Sequence, residues 1–159
     1  MSEAPETGFD RAKAEAFAGK FLSTLNHGAL CLMTSIGHRT GLFDALRELP
    51  PSTPEEVASR AGLSGRYVRE WLGAMVTGGV IELDPATGKY RLPPEHAAFL
   101  TRDAGSDNMA VFAQYIGVLG TVEDEIVECF AHGGGVPYSS YGRFHAVMAE
   151  QSDQTVLAG

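Results

Sequence analysis

Between Thr53 and Leu92 the chain spells a capped helix, a tight turn, a second amphipathic helix and a short hairpin. That order constrains the fold more than any other feature of the sequence. Thr53 precedes Pro54, Glu55 and Glu56, which supplies an N-cap hydroxyl, a proline at the first helical position and a glutamate three residues after the cap. The first helix carries Val57, Ala58 and Ala61 and stops at Gly62. Leu63 plugs the turn, and Ser64 is placed to cap the next helix. From Tyr67 to Val76, Val68, Trp71, Leu72 and Met75 recur at helical spacing, so Trp71 is expected in the core. Gly78-Gly79 ends that helix. Strands over Val80–Leu83 and Lys89–Leu92 then flank Asp84-Pro85-Ala86-Thr87-Gly88, a turn with a glycine available for positive φ. The fold class is therefore mainly α: a winged helix-turn-helix with additional N- and C-terminal helices and a small β-hairpin wing.

Residues 1–10 read as a polar, acidic leader. Arg11 to Ile36 reads as a helix with Phe17, Phe21, Leu25 and Cys31 near one side, widened by Leu22, Ala29, Leu30 and Met33 beyond what one covered face needs. Gly37 is expected to end it, and Arg39–Leu46 to form a short helix. After the wing come a short helix over Glu95–Leu100 and a long one over Asp107–Phe130, in which Gly117 and Gly120 permit a kink. Gly133-Gly134-Gly135 breaks the chain before a last helix from Tyr141 to Val156. The expected organisation is a leader over 1–10, a winged-helix domain with an N-terminal dimerisation helix over 11–104, and a helical extension and connecting segment over 105–159. That last helix runs straight to Leu157-Ala158-Gly159, which reads as part of a longer polypeptide.

Charge and cysteine usage narrow the function classes. Twelve Lys and Arg against twenty Asp and Glu leave a formal charge of -8, which repels a phosphate backbone unless a local basic face overrides it. Arg66, Arg69, Lys89 and Arg91 are the candidate DNA contacts of the second helix and wing. Glu70, Glu82 and Asp84 interleave with them, so duplex binding is expected to be no better than micromolar. Cys31 and Cys129 match no disulfide or paired-cysteine metal pattern. His27/Cys31 and Glu128/His132 each lie four apart on a helix, but each lacks a third ligand, and ordinary packing or surface roles are expected. No run of about 18 apolar residues spans a membrane. A reduced cytoplasmic protein is the expectation.

No glycine cluster follows an apolar strand, so the chain lacks a dinucleotide or methyl-donor cradle. The segment Val136 to His145 gathers three aromatics, a histidine, an arginine and two hydroxyls beside a glycine hinge. It either lines or closes a ligand pocket, or packs as a helix N-terminus on the preceding long helix.

Asn26-His27-Gly28-Ala29, Ile36-Gly37-His38-Arg39-Thr40-Gly41-Leu42-Phe43-Asp44, Ala58 to Leu63 and Tyr67 to Leu72 resemble the N-terminal region of bacterial class I S-adenosylmethionine (SAM)-dependent methyltransferases. The likeness is to the subgroup whose catalytic domain follows a winged-helix domain. Val136-Pro137-Tyr138 to Met148-Ala149-Glu150 resembles the stretch just before that catalytic domain. A helix as apolar as the N-terminal one is either central to the core or shared with a second chain. A homodimer through it, which the resemblance also implies, would have Phe21, Leu22, Leu25, Leu30 and Met33 at the interface. The resemblance implies that Tyr138, Tyr141, Phe144, His145 and Met148 lie near cofactor or substrate. It also implies SAM and a small-molecule acceptor for the parent enzyme, with no cofactor held and no methyl transferred by this chain alone. Two other readings stand beside it: a winged-helix transcriptional regulator, and a stand-alone small-molecule binding module.

Overall fold

The computed structural model describes residues 8–156, with side chains through 154. The leader therefore lies mostly outside the described residues, as do Leu157-Ala158-Gly159 and the side chain of Val156. Helix α1 spans Arg11–Thr40 and α2 Leu42–Glu48. The helix-turn-helix is α3 (Pro54–Ala61) and α4 (Gly65–Thr77), and the wing is β1 (Glu82–Asp84) and β2 (Lys89–Arg91). Helix α5 (Pro94–Leu100) and a 3-10 segment (Arg102–Asp107) lead to α6 (Ala110–Gly120) and α7 (Glu123–His132). A second 3-10 segment, Tyr138–Tyr141, precedes α8 (Phe144–Val156).

The helix-turn-helix forms as its local chemistry dictates. Thr53 Oγ1 accepts from the Glu56 amide, and the Glu56 carboxylate accepts from the Thr53 amide at 2.7 Å, closing the capping box. Gly62 takes φ 67, a conformation only glycine adopts cheaply, and ends α3. Ser64 occupies the N-cap position of α4, but its side chain makes no capping bond. In the wing, Glu82 faces Arg91, Leu83 faces Tyr90 and Asp84 faces Lys89 in antiparallel register. The Asp84 carboxylate accepts from Thr87 Oγ1 and the Ala86 amide, which ties the turn and lowers its pKa. Val80 and Ile81 precede the strand rather than joining it, because both amides bond back to Met75 O as Ile81 enters the core.

Trp71 is buried as expected, and what it touches explains the first departure from the sequence reading. Gly37 does not end α1. It sits inside the helix, where a Cβ would come within 2.8 Å of Phe43 Cε2 and 2.9 Å of Trp71 Cε2, and closer still to Trp71 Cζ2. The glycine is there for close approach. The stop is Gly41, with φ 72, whose amide bonds to Gly37 O and His38 O. The short second helix accordingly begins at Leu42 rather than Arg39.

The second departure is the expected single helix over Asp107–Phe130, which is two. Asn108 Oδ1 accepts from the Ala110 amide and starts α6. The chain turns at Thr121-Val122, where Val122 is buried, and restarts on Glu123, Asp124 and Glu125. Three acids suit the positive end of a new helix, a signal that the apolar periodicity masked. The third is the last helix, which begins at Phe144. Gly142, at φ 46, separates it from the 3-10 turn that holds Tyr138 and Tyr141.

Gly37→Ala is expected to destabilise the fold by about 1–3 kcal/mol through overpacking against Trp71 and Phe43. Gly73→Ala, on the open side of α4 where a Cβ meets nothing within 4 Å, is expected to add about 0.5–1 kcal/mol instead. Urea midpoints of the two variants against the parent check both signs.

Candidate functional site

Helices α1, α6 and α8 meet around a polar network inside an otherwise apolar contact. His38, 1% exposed, places Nε2 2.6 Å from Glu150 Oε1. The ionised carboxylate only accepts, so the ring nitrogen donates. Glu150 Oε2 accepts from Gln114 Nε2 at 2.8 Å, and Gln114 Oε1 accepts from Arg143 Nη1 at 3.1 Å. Arg102 Nη2 donates to His38 O at 2.7 Å while its guanidinium pairs with Asp44. Burial pushes the Glu150 carboxyl up, but hydrogen bonds from Gln114 and His38 and the charges of His38 and Arg102 outweigh it. The net pKa is below the ordinary value.

Beside this network stands the aromatic cluster. Phe144 packs edge-on against Tyr115 and Tyr138, and its ring also meets Tyr141 and His145. Tyr138 stacks on His145 with ring centroids 5.8 Å apart. Four of the five residues expected near a ligand are thus brought together by the 3-10 turn and the start of α8. Met148 lies a turn further along α8, exposed and outside the ring contacts.

The sequence reading did not find His38, Gln114, Arg143 and Glu150 as a unit. One signal was present: Gln114 lies at helical spacing between Val111 and Val118 on the buried face of α6, a polar residue that requires a buried partner. The partner, Glu150, is 36 residues away and unreadable from spacing.

The residues expected at a dimer contact divide. Phe21, Leu22 and Leu25 are exposed, and Phe17 stacks on Phe21. Leu30 and Met33 are partly buried against the chain's own core, with Leu30 pressed on Gly78 and Met33 O accepting from Trp71 Nε1 at 2.8 Å. Of the candidate DNA contacts, Arg69 pairs with Glu55, Arg91 with Glu82, and Arg66 lies over the Tyr67 ring. Lys89 acts electrostatically on Glu56. Two of the four are thus paired with carboxylates of the chain itself. Glu128 and His132 approach within 3.5 Å on α7, and among the described residues no three His, Cys, Asp or Glu side chains gather as a metal site would need. No described helix is long and apolar enough to cross a membrane.

A capped helix, a tight turn, a second helix and a two-stranded wing, extended by helices at both ends, define a winged helix-turn-helix protein. Residues 28–102 match the Rv2258c-like winged HTH domain family. No curated protein sequence matches the chain. Among solved structures, the chain is similar to CalO1, a methyltransferase in calicheamicin biosynthesis solved with SAH bound (18% identity, TM-score 0.64, 94% of this chain and 46% of that one). It is similar to the mitomycin 7-O-methyltransferase MmcR (15%, TM-score 0.65, 92% and 47%) and to human N-acetylserotonin methyltransferase in complex with SAM (19%, TM-score 0.60, 91% and 45%). The chain spans less than half the length of each. The shared fold is that of the N-terminal region of methyltransferases.

The depressed Glu150 pKa gives a pH test. A carboxylate bound more tightly to its proton unfolded than folded contributes stability above the ordinary value near 4.5, and that contribution is lost as pH falls through the folded value. Glu150→Gln is expected to lower Tm at neutral pH, and the gap to the parent should close in melts taken progressively below pH 4.5. A gap independent of pH would show that the charge is not what contributes.

Proposed function

We propose that this chain is the accessory N-terminal region of a SAM-dependent methyltransferase of small molecules, where it makes a homodimer contact and covers the substrate pocket. The observation that carries the reading is that over nine-tenths of the chain takes the fold of slightly less than half of several such enzymes. The sheet among the described residues is the two-stranded wing alone, so the strand-and-glycine-loop platform that holds a methyl donor belongs to another part of the enzyme. This region by itself is expected to turn over no methyl donor.

The apolar surface supports the dimer. Phe17, Phe21, Leu22 and Leu25 of α1 are more than half exposed, as is Leu119 of α6, and Phe130 of α7 is 89% exposed. Large apolar patches of this sort are a liability in a lone monomer, and a symmetric pair is the commonest way to cover them. The aromatic cluster at the start of α8 supports the pocket role, since it offers ring faces at the surface rather than in the core.

Light scattering across a hundredfold dilution is expected to give twice the 16.9 kDa chain mass. Leu25→Glu should raise the dimer dissociation constant by at least about a hundredfold, because each half then buries an unpaired charge, with little change in the helical circular dichroism. A constant 16.9 kDa species would remove the dimer from the reading, and turnover of a labelled methyl donor by the purified chain would overturn the accessory role itself.

A further inference from the structure

We infer that the two copies pair by exchange, the first half of α1 in each lying along α7 of the other. The inference rests on the homodimer reading above, and it names the two surfaces that meet.

Both helices lack support within one chain. The buried residues of α1 are Ser35, Gly37 and His38, all in its last two turns, and every residue from Glu15 to His27 is exposed. Helix α7 has no buried residue and is 10 residues long, below the roughly 12–15 at which an isolated helix holds in water. Each nevertheless carries large exposed apolar side chains. Phe17, Phe21 and Leu25 recur four apart on α1, and Ile126, Val127 and Phe130 share a face of α7. Since both sets are exposed, neither helix covers the other within the chain.

The area left open suits a pair. The chain exposes 10719 Å², whereas a compact monomer of 16.9 kDa exposes about 7,700 Å². The excess, about 3,000 Å², is larger than the roughly 1,000–2,500 Å² that each partner of an obligate dimer buries. It therefore accommodates such an interface with the chain's ends set aside.

The packing of α6 puts the two helices at one end of the molecule. Gln114, early in α6, reaches Glu150 together with His38, near the end of α1. Three residues further on, a Cβ on Gly117 would stand 3.8 Å from Leu32 Cδ2, nearly two turns earlier in α1. Helix α6 thus runs antiparallel to α1 and hands the chain to α7 on the side where the first half of α1 projects. A two-fold axis at that end would lay each projecting half on the other copy's α7.

Charge selects this pairing over its rivals. Before His27, α1 carries the cations Arg11, Lys13 and Lys20 and the single acid Glu15. Lys13 and Lys20 lie three or four residues from Phe17 and share its face, while Glu15 points the other way. Lys13 also meets Asp10 at 3.5 Å, an exposed contact of the kind that contributes little. Helix α7 carries Glu123, Asp124, Glu125 and Glu128 and no Lys or Arg, with Glu123 on the face of Ile126 and Val127. Packing α1 on α1 sets cations against cations, and α7 on α7 sets acids against acids. The exchange alone sets cations against acids around an apolar centre.

The test is a charge swap in the purified chain, read by light scattering on dilution. Lys20→Glu and Glu123→Lys should each raise the dimer dissociation constant by at least about tenfold at low salt. Mixed together, the two variants should pair with nearly the parent's affinity, because both contacts of the mixed dimer are then complementary. Isotope labelling of one variant lets native mass spectrometry count the mixed pair. Glu15→Lys, on the opposite side of α1, should change nothing. Phe130→Glu should weaken the dimer by at least about a hundredfold, since it buries an unpaired charge. It also keeps the test decisive should Glu123→Lys unfold α7 by placing a cation at its positive end. A dimer indifferent to Lys20→Glu, Glu123→Lys and Phe130→Glu would overturn the exchange and leave the homodimer standing. So would two weakened variants that fail to pair with each other. A parent chain that stays monomeric throughout removes the homodimer and the exchange together.

Discussion

The contact between Trp71 and the backbone of α1 is the joint on which the rest of the structure depends. The indole lies edge-on to Phe43, with ring centroids 5.2 Å apart, and both rings reach the bare backbone of Gly37. Its Nε1 donates to Met33 O, one helical turn away. Apolar burial alone would let α4 slide along α1. The directional bond to a backbone carbonyl sets the register, and the missing Cβ sets the distance. Through this joint the helix-turn-helix is fastened to α1, and α1 is also the helix on which α6 lies most extensively.

Attachment of the last helix follows a different logic. Among the described side chains of α8, Val147 is the one that is fully buried, so little apolar area fixes its position. The His38–Glu150–Gln114–Arg143 network supplies what apolar packing does not. Each member satisfies the next, and a helix shifted by one turn would leave His38 and Gln114 buried without partners. Polar networks of this kind contribute specificity of docking more than net stability. They also place Phe144 and its ring neighbours at the surface in one arrangement.

In the winged helix-turn-helix here, one arginine of the second helix and one of the wing are paired with carboxylates of the chain itself. Glu55 holds Arg69 and Glu82 holds Arg91. The surfaces left open are apolar on α1, α6 and α7, and aromatic at the start of α8.

Local chemistry made the winged domain legible. The Thr53–Glu56 capping box, the Gly62 stop, the Asp84–Gly88 turn and the phase of Trp71 with Val68 and Met75 are short-range signals. Each is decided within a few residues. The errors fell where a local signal had two physical meanings. Gly37 reads as a helix stop until Trp71 is seen against it. The apolar run from Met109 to Phe130 reads as one helix until Val122 is seen buried at a turn. By itself, then, the sequence determined the elements and the fold class, because capping, turn conformation and periodicity act between near neighbours. Only the tertiary structure decided which apolar faces stay open and which polar side chains meet, because His38, Gln114 and Glu150 are brought together by packing across many residues of chain, and nothing in their spacing records it.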